Sequence, residues 1–240
     1  IDVTVVATQK DAEYDSYSKD YDEGAVYPVS SQSEFETALA EANEGATIDV
    51  PKNVSMTLSN DDDINKGVTL SGAGKDKTTL KTEKASVSKD NVTIKNMTIE
   101  GSGSVGTGGT LNIGGNNTTI ENVDYKGDGN IAVTVSTGAK NEGTVFRNTK
   151  ITNAFRGIQF WSLSGDSLID NCVLDVAGYT FNIDAAVAGS TLTIMDSTLN
   201  GWTSYTSGIE LVSFKNCKLG LNAYQYLRPY SETKITGCEF

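Results

Sequence analysis

The feature that most constrains this sequence is a short frame of residues that the chain repeats. In residues 92–99, the apolar residue Ile94 is followed two positions later by Asn96 and five positions later by the apolar Ile99. The seven copies are Ile94/Asn96/Ile99, Ile120/Asn122/Tyr125, Phe146/Asn148/Ile151, Ile169/Asn171/Leu174, Ile194/Asp196/Leu199, Phe214/Asn216/Leu219 and Ile235/Gly237/Phe240. Successive first positions lie 26, 26, 23, 25, 20 and 21 residues apart. A repeat of this length predicts a solenoid.

The spacing inside the frame predicts β-strands on either side of the asparagine. Apolar residues alternate with Thr or Lys every second position, which is the period of a strand. Asparagine tolerates left-handed backbone angles, so it suits a tight bend between two strands. Stacked coils would place the asparagines about 4.7–4.9 Å apart, close enough for their amides to bond along a ladder. We therefore interpret these asparagines as structural rather than as a ligand site.

The repeat resembles the right-handed parallel β-helix of the pectin and pectate lyase superfamily, from about residue 31 to the C-terminus. Residues 64–80 look like an early coil of such proteins. The resemblance implies an all-β fold with three strands per coil, an N-terminal capping helix and an inward ladder formed by Asn96, Asn122, Asn148, Asn171 and Asn216. It does not fix the activity, because this fold occurs in lyases, hydrolases, phage tailspikes, adhesins and inert scaffolds.

We divide the chain at residue 30. Residues 1–30 are predicted to be an N-terminal strand (1–9) followed by an acidic arm, and residues 31–240 the β-helix domain. Ser33 and Glu36 have the spacing of a capping box, which predicts a short amphipathic helix that ends near Gly45 and covers the first coil. Because the chain starts at Ile1 rather than Met, we expect that a leader or upstream segment has been removed.

Charge and hydropathy exclude two classes of partner. Of the net charge of −12, residues 1–50 contribute −10 from 12 acidic and 2 basic residues, and residues 51–240 contribute −2 from 19 and 17. No basic stripe exists to displace counterions from phosphates, so we predict no nucleic-acid binding. No segment approaches the 18 or more apolar residues of a membrane span, so none is predicted.

The three cysteines each follow a ladder position. Cys172, Cys217 and Cys238 come directly after Asn171, Asn216 and Gly237. This register predicts that they point inward as reduced core thiols, since buried cysteine behaves as a small hydrophobe.

A second recurring strand precedes the frame and predicts one outward-facing strip. Its inward pairs are Leu111/Ile113, Ile131/Val133/Val135, Ile158/Phe160, Phe181/Ile183 and Ile209/Leu211. The residues between them are Asn112, Thr134, Gln159, Asn182 and Glu210. We predict that these five form an exposed strip, since side chains at fixed spacing on a sheet suit a repeating polymer.

Aromatic residues near this strip point to a glycan. Trp161, Trp202 and Tyr205 offer flat rings that stack on sugars, although rings of this kind also pack inside loops. With Gln159, Asn182 and Asp184 they form the predicted ligand-binding set. The expected partner is a polysaccharide or a cell-surface glycan.

Three residues are candidates for catalysis. Arg156 is the candidate base of a lyase, and Asp184 its candidate metal ligand. Asp184 and Glu210 form the candidate carboxylate pair of a glycosidase. The signature motifs of pectate lyases are missing, and the histidine that polygalacturonase-type hydrolases use has no counterpart in a chain without histidine.

A turn with three consecutive carboxylates is the candidate metal site. Asp61, Asp62 and Asp63 could hold a cation such as calcium, and a simple charged turn is the alternative.

On balance the sequence favours a non-enzymatic, surface-exposed binding or assembly module, such as an adhesin, a polysaccharide-binding protein or a structural subunit. A calcium-dependent polysaccharide lyase or glycoside hydrolase is one alternative, and a phage virion protein is another. The predicted location is extracellular or at the cell surface, with the virion surface as the third possibility. Neighbouring subunits are the alternative partner, because residues 235–240 still follow the strand frame and leave an edge that strand addition could cover.

Overall fold

The structure is a computed structural model, and it describes residues 24–59, 63–103, 108–137, 142–206, 208–220 and 227–240. The elements in chain order are β1 (Val26–Pro28), α1 (Gln32–Glu41), β2 (Thr47–Val50), β3 (Val54–Leu58), β4 (Asp63–Ile64), β5 (Thr69–Gly72), β6 (Thr78–Glu83), β7 (Ala85–Val87), β8 (Thr93–Ser102), β9 (Leu111–Ile113), β10 (Thr119–Lys126), β11 (Ile131–Ser136), β12 (Glu142–Arg147), β13 (Lys150–Thr152), β14 (Arg156–Ser162), β15 (Asp166–Asp170), β16 (Val173–Ile183), β17 (Thr191–Met195), β18 (Thr198–Tyr205), β19 (Leu211–Lys215), β20 (Lys218–Gly220), β21 (Leu227–Pro229) and β22 (Glu232–Thr236).

The strands form a parallel β-solenoid of about 8 turns, and of the described residues 59% lie in strands and 5% in the helix. Each strand pairs in parallel with the strand one coil later, and three faces result. The first sheet contains β1, β2, β5, β12, β15, β17, β19 and β22 with the first parts of β8 and β10. The second contains β3, β6, β13 and β20 with parts of β8, β10, β16 and β18. The third contains β4, β7, β9, β11, β14 and β21 with the last parts of β16 and β18. The predicted parallel β-helix is confirmed.

The core consists of inward rows, one residue from each coil. In the first sheet the first positions of the repeated frame are buried and in register from Ile94 to Phe214, whereas Ile235 of the last copy is 42% exposed. This row comprises Ile48, Leu70, Ile94, Ile120, Phe146, Ile169, Ile194 and Phe214. Because each coil buries its apolar residue only against the coils above and below, stability depends on unbroken stacking.

The asparagine ladder forms, but on the outside of the solenoid. Asn122 donates its side-chain amide to Asn96 at 2.8 Å, and Asn148 donates to Asn122 at 3.0 Å. All three have positive φ, between 48 and 58°. The inward ladder that the resemblance implied is therefore wrong for this chain. At a left-handed corner the asparagine side chain points away from the core, and the residue that follows it points inward.

The cysteines fit that geometry. No disulfide links them; Cys172 and Cys217 are buried, and Cys238 is half-buried in the last coil. The inward position also holds Met97 and Val123 in earlier coils. The predicted inward position is confirmed for Cys172 and Cys217, and the reduced state of the three thiols stays a prediction.

The capping helix is present but begins earlier than predicted. Its N-cap is Ser31, whose hydroxyl accepts a hydrogen bond from the Glu34 amide, so the predicted start at Ser33 is wrong. The helix ends at Glu41 rather than near Gly45. Gln32 exchanges two side-chain hydrogen bonds of 2.9 Å with the backbone of Thr57 in β3, which fixes the helix across the first coil.

The segment before the helix adds one strand that the sequence did not predict. In β1, which lies within residues 1–30, Tyr27 pairs in parallel with Ile48 of β2. The predicted strand at residues 1–9 and the acidic residues 11–23 lie outside the described residues. Within the described part of the chain, no helix is long and apolar enough to cross a bilayer.

Candidate functional site

One outward row of polar side chains runs along the third sheet through consecutive coils. We call it the polar row, and its members in register are Asp63, Ser86, Asn112, Thr134, Gln159, Asn182, Ser204 and Arg228. The predicted register of the strip is confirmed at Asn112, Thr134, Gln159 and Asn182, which occupy neighbouring coils.

The middle of the polar row is closed to solvent. Thr134 is 4% exposed and Gln159 is 0% exposed. The Thr134 hydroxyl donates to the Asn112 side chain, which also accepts from the backbone amide of Gly109 at 3.2 Å. The backbone at Gly109 lies so close to Thr134 that a Cβ there would approach the Thr134 amide nitrogen to 2.9 Å. The prediction of a fully exposed strip is therefore wrong at Thr134 and Gln159.

The side-chain amide of Gln159 is buried among three polar side chains, each of which forms a hydrogen bond with it. Its Oε1 accepts from the Arg156 guanidinium at 2.6 Å and from Asn182 at 3.3 Å. Its Nε2 donates to Asp184 Oδ2 at 3.1 Å, and Asn182 donates to Asp184 Oδ1 at 2.7 Å. The structure thus brings four of the predicted site residues, Arg156, Gln159, Asn182 and Asp184, into one network across β14 and β16.

A cleft opens beside this network, towards the C-terminal coils. Its volume is about 420 Å³, and it is lined by Asn182, Ile183, Asp184, Ser204, Tyr205, Thr206 and Tyr230. This volume lies within the range usual for small-molecule sites. Asp184 is exposed at the edge of the cleft, and Tyr230 is 67% exposed. We call it the Asp184 cleft.

Sequence reasoning did not assign Ser204, Thr206 or Tyr230 to this site. Ser204 was missed because the inward residue before it is Thr203 rather than an apolar residue, which hides the strand alternation. The register of Ser204 with Asn182 supplies the missing position.

Aromatic rings form a second outward row next to the polar row. Tyr179 meets Phe155 edge-on at 6.4 Å and Trp202 edge-on at 4.9 Å between ring centroids. The guanidinium of Arg156 lies 5.4 Å from the Tyr179 ring, and that of Arg228 lies 5.5 Å from the Trp202 ring. Contacts of this kind stabilise the cation over the ring face. Phe155, Tyr179 and Trp202 are the aromatic row, and Arg156 joins it to the polar row.

The two tryptophans lie in strands rather than loops. Trp202 is half-buried in β18, in register with Tyr179 of β16. Trp161 is half-buried in β14 and is not among the residues that line the Asp184 cleft.

Tyr205 belongs to the core, so the prediction that its ring is available to stack on a sugar is wrong. It pairs with Ile183 and is 1% exposed. Its ring stacks on Phe181 with centroids 6.4 Å apart, and its hydroxyl shares a 2.6 Å hydrogen bond with Thr233. The strand alternation that turns Ser204 outward turns the Tyr205 ring inward.

Glu210 is also misplaced by the sequence prediction. Its amide bonds to the carbonyl of Ser190, and the next residue, Leu211, pairs with Thr191 in the first sheet. Asp184 follows the end of a third-sheet strand, and Glu210 directly precedes a strand of the first sheet. The core position that sequence reasoning gave to Leu211 is occupied by Val212, which is fully buried. The glycosidase pair of Asp184 and Glu210 stays a prediction.

The candidate metal residues are only partly described. Asp61 and Asp62 lie outside the described residues, and Asp63 accepts hydrogen bonds from the amide and hydroxyl of Ser88. Among the residues that the structure does describe, no three of the types His, Cys, Asp and Glu come together in a way that could hold a metal ion. Calcium binding at residues 61–63 stays a prediction.

The site can bind hydrogen-bond donors more readily than it can move protons. Asp184 presents a carboxylate held by two amide donors, and Asn182 and Ser204 line the cleft beside it. Arg156, the candidate base, is held by Gln159 on one side and by the Tyr179 ring on the other.

Comparison with known proteins bears on the fold. No protein-family model matches the chain, and no curated protein does. Among solved structures, an alginate lyase from Paenibacillus sp. str. FPU-7 is similar at a TM-score of 0.62 and 12% identity, covering 90% of this chain and 99% of that one. The PL6 family alginate lyase AlyGC, as the R241A mutant, aligns at a TM-score of 0.46 and 14% identity over 88% of this chain and 40% of that one. The A-module of the Azotobacter vinelandii mannuronan C-5 epimerase AlgE4 aligns at 0.41 and 16% over 88% and 80%.

The last two similarities, at TM-scores below 0.5, support no argument. The first follows the solenoid along nearly the whole of both chains, and at this identity it speaks for the fold alone. The chain thus has the parallel β-solenoid fold that its asparagine frame predicted.

Proposed function

We propose that this protein binds a polysaccharide at the Asp184 cleft and is not an enzyme. The observation that carries the proposal is the network in which the buried Gln159 bonds both Arg156 and Asp184, and thereby fixes Asp184 at the edge of a 420 Å³ cleft. Pre-organised polar groups of this kind lower the entropy cost of binding.

The aromatic row supports a glycan as the ligand. Trp202 and Tyr179 lie one coil apart, beside the polar row, and Phe155 leaves 43% of its surface exposed in the neighbouring coil. Flat rings pack against the apolar faces of sugars, and hydrogen-bonding groups beside them accept sugar hydroxyls. The proposal includes an extracellular or cell-surface setting, where polymeric glycans occur. Assembly with neighbouring subunits, including the virion alternative, stays a separate prediction.

A polysaccharide lyase is the second candidate, because the Paenibacillus protein with the similar solenoid is an alginate lyase. Lyase chemistry needs a base near the sugar and a group that neutralises its carboxylate. Arg156 would have to leave both Gln159 and Tyr179 to act as that base. Because these two contacts hold Arg156, we rank binding above catalysis.

Binding is tested with matched asparagine variants of the full chain. Asn182→Ala removes a cleft residue that bonds to Asp184, and Asn200→Ala removes an asparagine that bonds in the same way to Asp175 outside the cleft. Screening on a polysaccharide array should show binding by the parent protein and by Asn200→Ala, with loss in Asn182→Ala. Trp202→Ala should also weaken binding. Equal binding by Asn182→Ala and the parent protein would show that the cleft is not the binding site.

Catalysis is tested separately with polyuronates in the presence of calcium. A lyase releases unsaturated products that absorb in the ultraviolet. We expect no such signal, and a signal lost in Arg156→Lys would establish the lyase candidate instead.

A further inference from the structure

Asp184 is the one charged side chain among the described residues that line the Asp184 cleft. This negative charge bears on the class of sugar that the cleft accepts. This inference rests on the proposed function. We propose that the cleft selects a sugar unit with two neighbouring uncharged hydroxyls and rejects uronic acids.

The carboxylate of Asp184 has acceptor sites left for two hydroxyls. A carboxylate offers about four lone-pair sites. Gln159 donates to one oxygen at 3.1 Å, and Asn182 donates to the other at 2.7 Å, so each oxygen already has one donor. These amides fix the plane of the carboxylate and leave one further site on each oxygen. Two adjacent hydroxyls of a sugar ring match that arrangement, and each bond would be charge-assisted.

No cation among the described lining residues is available to pair with a carboxylate on the sugar. The ionisable side chains that the described lining presents are Asp184 and Tyr230, because the Tyr205 ring points into the core. Position 207 and positions 221–226, which lie outside the described residues, contain no lysine or arginine in the sequence. A uronic acid carboxylate in the cleft would face Asp184 with a like charge and lose its water shell.

The two arginines near the cleft, Arg156 and Arg228, both contact rings of the aromatic row. Arg228 follows Ser204 in the polar row, yet its guanidinium lies 5.5 Å from the centre of the Trp202 ring. The guanidinium of Arg156 lies over the Tyr179 ring and donates a hydrogen bond to Gln159. The net charge of −12 adds a general repulsion for polyanions, which screening by salt reduces.

The test compares neutral and acidic polymers by calorimetric titration of the full chain. The neutral probes are laminarin, galactomannan and arabinan, and the acidic probes are alginate and polygalacturonate. We expect at least one neutral polymer to bind, with acidic polymers at least about tenfold weaker. Asp184→Asn should weaken the neutral polymer at least about tenfold, since it removes charge-assisted hydrogen bonds. The control Asp175→Asn, on the second sheet, should leave the affinity unchanged.

The outcomes separate this inference from the proposed function. Binding of alginate or polygalacturonate as tightly as the neutral polymers overturns the charge selection while the binding function stands. Neutral binding that Asp184→Asn does not change overturns the role of Asp184. If none of the five polymers binds, both the inference and the proposed function fail.

Discussion

The side-chain amide of Asn122 donates to the side-chain carbonyl of Asn96 at 2.8 Å, and both residues have left-handed backbone angles, with φ of 52° and 58°. Asn122 also accepts from Asn148 at 3.0 Å, so it bonds to the coil before and the coil after. The same residue therefore satisfies two requirements of a solenoid corner. It adopts a backbone conformation that most residues avoid, and it links the corners of three coils.

Replacing this central asparagine should destabilise the solenoid. We expect Asn122→Ala to lower the free energy of unfolding by about 2–4 kcal/mol, from two lost hydrogen bonds and the cost of a left-handed alanine. Asn122→Gly should cost less, because glycine adopts positive φ freely and already occupies the ladder position at Gly237, where φ is 65°. Urea unfolding followed by circular dichroism measures both variants. Equal losses for alanine and glycine would contradict the backbone argument.

The buried Gln159 should matter more for binding than its distance from solvent suggests. Gln159→Met keeps the volume but removes the amide that joins Arg156 to Asp184. We expect polysaccharide affinity to fall about 10- to 100-fold, because Asp184 loses a donor that fixes its carboxylate. Thr134→Val, in the same row and equally hidden but outside the cleft, is the control. We expect Thr134→Val to lose about 1 kcal/mol of stability and to keep its affinity. If Thr134→Val lost as much affinity as Gln159→Met, the positioning role of Gln159 would be refuted.

The repeated frame made the fold predictable because every coil obeys the same physical constraint. An apolar residue must face inward, and a residue tolerant of positive φ must turn the corner, so Ile94/Asn96 and its copies are visible in the sequence. Whether a residue faces inward or outward could be predicted from the sequence wherever the inward residues are apolar, as at Phe181 and Ile183. At Thr203 the inward residue is polar but 2% exposed, and the alternation could no longer be followed. Tyr205 and Glu210 were misplaced for that reason.

Burial of the polar row could not be predicted for a different reason. The sequence shows that Gln159 alternates with inward residues and therefore faces out. It does not show that Arg156, three positions earlier, folds back onto it, or that residue 109 passes over Thr134. These contacts depend on loops whose lengths vary from coil to coil, and the repeat does not constrain them.

Two buried acids should make the protein sensitive to alkali. Burial raises the pKa of Cys172 from 9.0 to about 11. It raises the pKa of Tyr125 from 10.0 to about 12, although hydrogen bonds from Thr110 and Thr82 oppose the shift. Both groups stay protonated in the fold at a pH where the unfolded chain has released the proton. Their contribution is therefore complete below about pH 9 for Cys172 and about pH 10 for Tyr125, and it is lost as the pH rises through 11 and 12.

Variants can isolate this effect from the other groups that titrate at high pH. Each proton changes the free energy of unfolding by about 1.4 kcal/mol per pH unit, so we expect a loss of about 2–4 kcal/mol between pH 9 and 11. The decline should be shallower in Cys172→Ala and in Tyr125→Phe. Thr134→Val, which removes a buried hydroxyl but no titrating group, should keep the parent slope. Urea midpoints measured across this pH range give the slopes, and identical slopes in all four proteins would rule out the two buried acids as the cause.

Two adjacent glycines in the turn after β9 differ sharply in the space around them. A Cβ on Gly115 would overlap the backbone carbonyl of Lys89, one coil earlier, whereas a Cβ on Gly114 would meet nothing nearer than the Val87 carbonyl oxygen at 3.7 Å. We expect Gly115→Ala to cost about 1–3 kcal/mol, because the coils would have to separate. Gly114→Ala should change stability by less than about 1 kcal/mol, in the stabilising direction, since alanine restricts the unfolded chain. Thermal unfolding of the two variants decides the matter: if both lose the same stability, the close approach of the coils at Gly115 is not what requires glycine there.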